Sequence, residues 1–287
     1  MNRLRSFRVA TSLLAFCLLA VFSPATADAG GGTTHNVRIG GDIQTAIDGA
    51  NDGDTIQLAA GQYDITTTID PGGKQVTILG TVDGNGDPTS ILDGGNPVGG
   101  TSGVRVLICQ NGETSTTVFQ NLVIQNGFDW AYGGGMLNDN SSSPTLTNCT
   151  FTGNSAGSGG GMENTRASSP TLTNCTFTSN SATSGGGMEN TITSNPTLTN
   201  CTFTSNSADN GGGMNNPDGS SPTLINCAFT GNSARYTGGG MWNDNSSSPT
   251  LTDCTFTSNS VTDFVGRGGG MYNLDGSSPT LTGCTFT

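Results

Sequence analysis

A repeat of 26 to 30 residues fills the second half of the chain and limits the folds open to it. The stretch "SPTLTNCTFTSNSATSGGGMEN", residues 169–190, belongs to a series of six copies. In each copy the methionine after Gly-Gly-Gly stands 13 residues before the next cysteine, and every added residue lies between an Asn-Ser pair and Gly-Gly-Gly. A constant segment with length variation at one point predicts stacked coils with a surface loop at that point.

The composition is low in charge and acidic. The chain has 45 glycines, 10% charged residues, one histidine and a net charge of −12. Such a composition is common in disordered chains, but apolar residues at fixed repeat positions allow successive coils to bury one continuous core. The shortage of basic side chains disfavours nucleic acid or an anionic membrane surface as a partner.

Residues 1–27 have the features of a signal peptide. Three arginines within the first eight residues precede the apolar run "LLAFCLLAVF", and "ATA" ends at Ala27, with Ala29 as the alternative cleavage point. Cys17 is interpreted as one of the apolar residues of that run, without a separate role. The remaining chain keeps 6 basic and 21 acidic side chains and has no second apolar run long enough to span a membrane. We expect export, to the extracellular space or the bacterial outer surface.

Within each repeat, the spacing predicts a strand with one buried face and a tight corner. Leu172, Cys175 and Phe177 are apolar, and threonines alternate with the last two. The step from Leu172 to Cys175 is three residues, so the strand has to bend, and the residue at the bend tolerates a left-handed backbone in every copy. These corner residues are Asn148, Asn174, Asn200, Asn226, Asp253 and Gly283.

Two further asparagine columns follow from the same alignment. One contains Asn154, Asn180, Asn206, Asn232 and Asn259, and the other contains Asn138, Asn164, Asn190, Asn216, Asn243 and Asn273. Side-chain amides stacked on coils about 4.8 Å apart can hydrogen-bond from coil to coil. We expect these ladders to fix the register of the coils.

Residues 28–127 are predicted to form an N-terminal cap and irregular first coils. Asp42 is a suitable N-cap for a short helix ending near Asn51, and "DTIQLAAGQYDI" and "KQVTILG" have strand patterns. This order resembles the start of pectin-lyase-like right-handed parallel β-helices, in which a helix closes the open end of the solenoid. The predicted fold is therefore an all-β right-handed parallel β-helix with a short capping helix, and residues 128–287 form six coils, the last incomplete. A leucine-rich repeat also fits "LTNCTFTSN", but Gly-Gly-Gly and proline oppose its helical segment.

The repeats also resemble those of chlamydial polymorphic membrane proteins. The pattern F-x-x-N followed by G-G-x-aliphatic recurs from residue 128 to residue 287, as "FTSN" at Phe177 and Gly-Gly-Gly-Met at Met188 illustrate. The resemblance implies a β-helical passenger displayed at the bacterial surface, generally as an adhesin. That family also has a C-terminal outer-membrane barrel, whereas this sequence stops midway through a coil. We expect either continuation beyond Thr287 or a separate secretion route.

The six repeat cysteines are interpreted as a column of buried thiols. They occupy one equivalent inward position, and side chains stacked on parallel strands suit the disulfide dihedral poorly. A disulfide framework is the alternative for an exported chain. No CxxC spacing or histidine cluster points to a metal. The members are Cys149, Cys175, Cys201, Cys227, Cys254 and Cys284.

The sequence contains no recognisable catalytic set. Pectin-lyase-like enzymes imply a basic residue beside an Asp-bound Ca²⁺, or several carboxylates with His and Arg-x-Lys. Here Lys74 is the only lysine, His35 is the only histidine, and neither Gly-His-Gly nor Arg-x-Lys occurs. We interpret these two residues, Arg38 and Arg105 as surface charges.

The position after the repeat methionine gives the candidate site. This column is predicted to point outward and contains Leu137, Glu163, Glu189, Asn215, Trp242 and Tyr272. Glu163 and Glu189 would stack about 5 Å apart, near the carboxylate separation of retaining glycosidases, or would contact Ca²⁺. A solvated pair without function is the alternative. The insertion loops carry further ligand-contact candidates: Trp130, Tyr132, Arg235, Tyr236, Phe264 and Arg267.

Three functions remain open from the sequence. The first is an exported β-helix with a structural or adhesive role and no catalysis or cofactor of its own. The second is a β-helix that binds or degrades an extracellular polysaccharide, as a lyase or a glycoside hydrolase. The third is a passenger fragment whose activity resides in a region that follows. The expected partners are an extracellular carbohydrate or a host or cell surface.

Overall fold

The described chain winds as a parallel β-solenoid of about eight turns. The computed structural model describes residues 32–96 and 100–287, so the predicted signal peptide with Cys17 lies outside the described residues. One coil passes through up to four short strands, which join four sheets that we call A, B, C and D in the order in which the chain visits them. The predicted all-β solenoid with a short helix is confirmed.

Sheets A and B meet at the asparagine corner. Sheet A contains Thr34–Val37, Thr55–Leu58, Thr77–Leu79, Val118–Gln120, Thr145–Thr147, Thr171–Thr173, Thr197–Thr199, Thr223–Ile225, Thr250–Thr252 and Thr280–Thr282. Sheet B contains Gly61–Asp64, Ser90–Asp93, Leu122–Gln125, Thr150–Thr152, Thr176–Thr178, Thr202–Thr204, Ala228–Thr230, Thr255–Thr257 and Thr285–Phe286.

Sheets C and D are joined by the Gly-Gly-Gly segments. Sheet C contains Phe128–Tyr132, Ser155–Ser158, Ser181–Ser184, Ser207–Asn210, Ser233–Thr237 and Ser260–Val261. Sheet D contains Leu107–Cys109, Met136–Asn138, Met162–Asn164, Met188–Asn190, Met214–Asn216, Met241–Asn243 and Met271–Asn273. The insertion point was predicted as a surface loop, but in most coils it is the strand of sheet C.

The core is built by equivalent residues stacked in register. Leu172 pairs with Leu198, and Phe177 pairs with Phe203, on parallel strands of sheets A and B. Leucine, cysteine, phenylalanine and methionine from every repeat except the last are buried in one continuous cluster. The phenylalanine rings from Phe151 to Phe286 stack with centroids 4.6–4.8 Å apart and interplanar angles of 3–6°. Each coil therefore contributes one slice of the core, as the repeat pattern predicts.

The predicted corner between sheets A and B is confirmed. Asn148, Asn174, Asn200, Asn226 and Asp253 all have φ between 51° and 54°, and Gly283 has φ 65°. The left-handed backbone explains why only Asn, Asp and Gly occur here. The corner amides also bond between coils: Asn226 Nδ2 donates to Asn200 Oδ1 at 2.8 Å.

The two other asparagine ladders are continuous, and all their members except Asn259 and Asn273 are buried. Asn180 Nδ2 donates to Asn206 Oδ1 at 3.0 Å and to the carbonyl of Phe151, while its Oδ1 accepts from the backbone and side-chain amides of Asn154. In the other ladder, Asn164 Nδ2 donates to Asn190 Oδ1 at 2.8 Å. Because buried amides without partners are costly, these ladders fix the coil register as expected.

The repeat cysteines form a column of free thiols. Cys149, Cys175, Cys201, Cys227 and Cys254 are at most 1% exposed, and Cys284 is half-buried. Each sulfur donates to the carbonyl two residues earlier, as Cys201 Sγ does to Thr199 O at 3.4 Å. Burial raises the pKa of the Cys175 thiol well above its usual value, so the protonated form is favoured.

A short helix follows the first strand of sheet A, at the N-terminal end of the solenoid. It spans Ile43–Asp48 with Asp42 as its N-cap, and it ends three residues earlier than the sequence suggested. Ile43 and Ile47 face the core. The Lys74 ammonium group donates to the carbonyls of Ile47, Asp48 and Ala50 at 2.7–2.9 Å, so it satisfies the C-terminal end of the helix. Within residues 32–96 and 100–287, no helix has the length and hydropathy that a membrane span requires.

Lys74→Met is expected to destabilise the N-terminal cap by about 1–3 kcal/mol, because it removes a charged donor from three carbonyls. Urea denaturation and hydrogen exchange of residues 43–58 measure this effect. Arg38→Met removes a positive charge from an exposed side chain and is the matched control. If the two substitutions lowered stability equally, the effect would come from the change in net charge and not from the contact between Lys74 and the helix carbonyls.

Candidate functional site

The column after the repeat methionine is in register but buried. Glu163 pairs with Glu189 on adjacent strands of sheet D, and Trp242 pairs with Tyr272 further along. Glu163 is 1% exposed, Glu189 is 5% exposed and Asn215 is 1% exposed, while Trp242 and Tyr272 are half-buried. These side chains lie on the face of sheet D opposite the core methionines, as predicted. The expectation that this face is open to solvent is wrong.

Sheet C lies over the column because the chain reverses at the first glycine of Gly-Gly-Gly as it passes from sheet C into sheet D. Gly185 has φ 62°, and a Cβ on it would lie 2.7 Å from Glu189 Cβ. The equivalent glycine approaches Asn215, Trp242 and Tyr272 in the same way, with a Cβ position 2.6–2.7 Å from theirs. Only glycine permits both the left-handed turn and this approach. The result is a slot between sheets C and D, which we call the C–D slot and which holds the column.

The two carboxyl groups in the C–D slot lack a counter-charge. Glu163 Oε1 accepts from the Thr191 hydroxyl at 3.2 Å, and Glu189 Oε1 accepts from Asn215 Nδ2 at 2.9 Å. The Oε2 atom of each has no hydrogen-bond partner. Burial, and secondarily the charge of the other carboxyl group, raises the pKa of Glu163 well above its usual value; burial also raises the pKa of Glu189.

The donors around this pair fit Ca²⁺ poorly. Ca²⁺ takes about six to eight oxygen ligands, but the neighbouring Asn215 presents its Nδ2 donor to Glu189. Among the described residues, no group of three or more His, Cys, Asp or Glu side chains is placed to hold a metal ion. A Ca²⁺ contact at Glu163 and Glu189 stays a prediction that this geometry does not favour.

The other predicted contact residues project from sheet C and its turns. Trp130 is 75% exposed and Phe264 is 98% exposed, and Tyr132 and Tyr236 are also exposed. The Arg235 guanidinium lies 4.7 Å from the Tyr236 ring centroid. The strands between Trp130 and Arg235 are "SAGS", "SATS" and "SADN". The aromatic residues therefore flank a strip of small side chains; we call this surface the sheet C face.

Hydrogen bonds lie at both aromatic ends of the sheet C face, with an ion pair at one of them. Arg105 Nη2 lies 2.9 Å from Asp129 Oδ2, and Asp129 Oδ1 accepts from the amides of Ala131 and Tyr132 beside Trp130. At the other end, Asp263 Oδ1 accepts from the Val265 amide, and Arg267 Nη1 donates to the Tyr272 hydroxyl at 3.2 Å. These contacts order the backbone of the turns, while the Phe264 and Trp130 side chains project into solvent.

Some basic residues interpreted as surface charges have structural roles. The Arg105 side chain is only 14% exposed, so its interpretation as a surface charge is wrong. Lys74 closes the capping helix, and His35 Nε2 lies 2.9 Å from Asp54 Oδ2. Arg38 is exposed as expected. No sequence pattern identified the partner of Arg105, because Asp129 lies on the next coil 24 residues away.

The fold defines a repeat-built parallel β-solenoid that carries one buried acidic pair and one aromatic face. Residues 106–287 match the family described as "Right handed beta helix region". This match covers more than half of the chain, and the chain belongs to that family.

Three solved structures are similar over most of the chain. Pectate lyase Pel9A is 14% identical, with TM-score 0.42, and the match covers 89% of this chain and 79% of that chain. The pectin methylesterase of Aspergillus niger is 13% identical, with TM-score 0.48 and coverage of 89% and 88%. A mannuronic acid-specific polysaccharide family 6 lyase from human gut microbiota is 8% identical, with TM-score 0.26 and coverage of 87% and 83%. The comparison with curated protein sequences found no match.

Proposed function

We propose that this protein is an exported β-helix, secreted or displayed on the bacterial surface, with a structural and adhesive role and no catalysis of its own. The observation that carries the proposal is the contrast between the two predicted sites. The acidic pair Glu163 and Glu189 is covered by sheet C, whereas Trp130 and Phe264 project into solvent. A general acid or nucleophile has to reach its substrate within hydrogen-bond distance, and covered carboxyl groups are poorly placed for this.

The surface of the solenoid suits adhesion. Exposed aromatic side chains on a rigid frame lose little conformational entropy on binding, and such residues dominate contact energies at interfaces. The resemblance of the repeats to chlamydial polymorphic membrane proteins supports the same role. The chain that remains without the predicted signal peptide is acidic, which supports a partner other than nucleic acid.

We expect the purified mature protein to release no unsaturated lyase product and no reducing sugar from a panel of polysaccharides. Absorbance of the unsaturated product and a reducing-end assay measure the two activities. Activity that Glu163→Gln or Glu189→Gln abolishes would contradict the proposal and establish a catalytic pair.

In a cell- and matrix-adhesion assay, Trp130→Ala combined with Phe264→Ala should reduce binding, and Ile192→Ala, which removes another exposed apolar side chain, is the control.

A polysaccharide-binding role without cleavage is the second candidate. The stacked Arg235–Tyr236 pair and the exposed Trp130 favour it, because flat aromatic faces and adjacent donors contact sugar rings. Affinity electrophoresis on immobilised neutral and acidic polysaccharides distinguishes the two roles. If a polysaccharide slows the migration of the wild-type protein and Tyr236→Ala removes this effect, a glycan ligand is favoured. Cell adhesion without slowed migration would favour a protein partner.

A further inference from the structure

We propose that Glu163 and Glu189 share one proton between their Oε2 atoms and form a pH-sensitive latch that holds strands Ser155–Ser158 and Ser181–Ser184 of sheet C over sheet D. This inference is independent of the proposed adhesive function. It concerns the buried carboxyl groups of the C–D slot and not the exposed aromatic residues of the sheet C face.

Two separate hydrogen bonds reach the carboxyl groups in the C–D slot, one to each glutamate. Asn215 Nδ2 donates to Glu189 Oε1, and the Thr191 hydroxyl donates to Glu163 Oε1. Four buried atoms of this column have no partner: Trp242 Nε1, Asn215 Oδ1, Glu189 Oε2 and Glu163 Oε2. Trp242 and Asn215 are register neighbours, so their orphaned donor and acceptor are complementary.

The other two atoms without partners, Glu189 Oε2 and Glu163 Oε2, are both acceptors, and their residues pair on adjacent strands. Glu163 and Glu189 lie on adjacent strands about 4.8 Å apart, so two ionised carboxylates would repel each other in a buried site. One proton between the Oε2 atoms converts the repulsion into a hydrogen bond and links the Asn215–Glu189 bond to the Glu163–Thr191 bond. Stacked carboxyl groups elsewhere share protons for the same physical reason.

A proton fits this position better than a cation does. Asn215 points its amide nitrogen at Glu189, which is the orientation that a carboxylate acceptor requires and that a metal ion would disfavour. The charged groups around the pair also favour protonation. On the turns after sheet D, Asp139 acts on Glu163 and Asp218 acts on Glu189, and both raise the pKa values. Arg166 is the nearby cation, but it is paired with Asp139.

The side of sheet C supplies neutral donors and no basic group to the pair. Ser158 and the Gly159 amide are near enough to Glu189 to oppose the rise in its pKa, although neither makes a hydrogen bond to Glu189 Oε2. The acidic residues of sheet C are Asp129, which pairs with Arg105, and Asp209. Burial raises the pKa of Glu189 to about 7 and that of Glu163 well above its usual value, so the pair releases its shared proton as the pH rises above neutral. Loss of the proton places two negative charges under Ser155–Ser158 and Ser181–Ser184, which loosens these two strands.

The test compares the wild-type protein with Glu163→Gln, in which the amide nitrogen can donate to Glu189 Oε2 and replace the shared proton. Between about pH 5 and pH 9, the folded wild-type protein should release one more proton than the variant in a potentiometric titration. Hydrogen exchange at residues 155–161 and 181–187 should accelerate more with pH in the wild type than in the variant. Asp87→Asn removes an exposed carboxylate and should behave as the wild type.

Infrared spectroscopy gives a second measurement that needs no stable variant. In mildly acidic solution the folded wild-type protein should show the C=O stretching band of a buried protonated carboxyl group, and this band should disappear in alkaline solution. Equal proton release by the wild type and Glu163→Gln, or absence of this infrared band, would overturn the proposal.

Discussion

Phe203→Ala is expected to lower the free energy of unfolding by about 3–5 kcal/mol, because it opens a cavity in a close-packed core. Phe203 is fully buried, and its ring stacks on Phe177 at 4.8 Å and on Phe229 at 4.7 Å. The substitution removes both stacking contacts at once. Since the coils contact only their neighbours, the loss also weakens the coupling between the two halves of the repeat region.

Phe264→Ala is the matched control, because the same atoms are removed from a side chain that is 98% exposed. Its effect on stability should stay within about 0.5 kcal/mol. Urea denaturation followed by circular dichroism gives the two values, and hydrogen exchange locates the weakened coils. Similar losses for the two variants would contradict the stacked phenylalanine core.

Asn180→Ala is expected to cost about 2–4 kcal/mol, because it breaks four buried hydrogen bonds. The Asn180 side chain accepts from the backbone and side-chain amides of Asn154 and donates to Phe151 O and Asn206 Oδ1. Without it, the Asn154 backbone amide and the Phe151 carbonyl lose these bonds in a dry interior. The hydrogen-exchange protection of residues 151–155 should fall more than that of the distant coils.

Asn174→Gly is the control for a ladder position at the surface. Asn174 is exposed, has φ 53° and accepts one amide bond from Asn200 at 3.2 Å. Glycine keeps the left-handed backbone, so we expect a loss of no more than about 1 kcal/mol. Thermal and urea unfolding of the two variants measure the difference. A larger loss at Asn174 than at Asn180 would show that the corner, and not the buried ladder, fixes the coil register.

The sequence predicted the core and the corner well because both depend on local rules. The alternation of Thr with Cys175 and Phe177 follows the two-residue period of a strand, and the three-residue step from Leu172 requires a bend. The variation of the bend position among Asn, Asp and Gly then identifies the left-handed backbone. Since the copies are nearly identical, the register between coils follows from the alignment of the repeats.

The burial of the candidate site could not be predicted from the same rules. Strand alternation correctly placed Glu163 and Glu189 opposite the core methionines, but an outward side chain is buried when another segment folds over it. Here that segment is the sheet C strand that ends at Ser158 or Ser184, and the close approach of the following glycine, Gly159 or Gly185, to sheet D depends on tertiary geometry. The repeat length indicated a loop at this point, and the serine-rich strands carry too few apolar residues to identify a covering sheet.

The buried asparagine ladders give the solenoid an electrical polarity. In both columns every side-chain amide donates toward the C-terminal neighbour, from Asn138 to Asn164 and from Asn154 to Asn180. The amide dipoles therefore add along the axis, with oxygen at the N-terminal end. One column begins at Asn138 Oδ1, next to Cys109, whose thiol is kept protonated because burial raises its pKa. A coil grafted before Asn138 must therefore offer a hydrogen-bond donor to the Asn138 side-chain oxygen, and a coil grafted after Asn273 must offer an acceptor to the Asn273 amide nitrogen. Coils can thus be exchanged within the stack but not inverted.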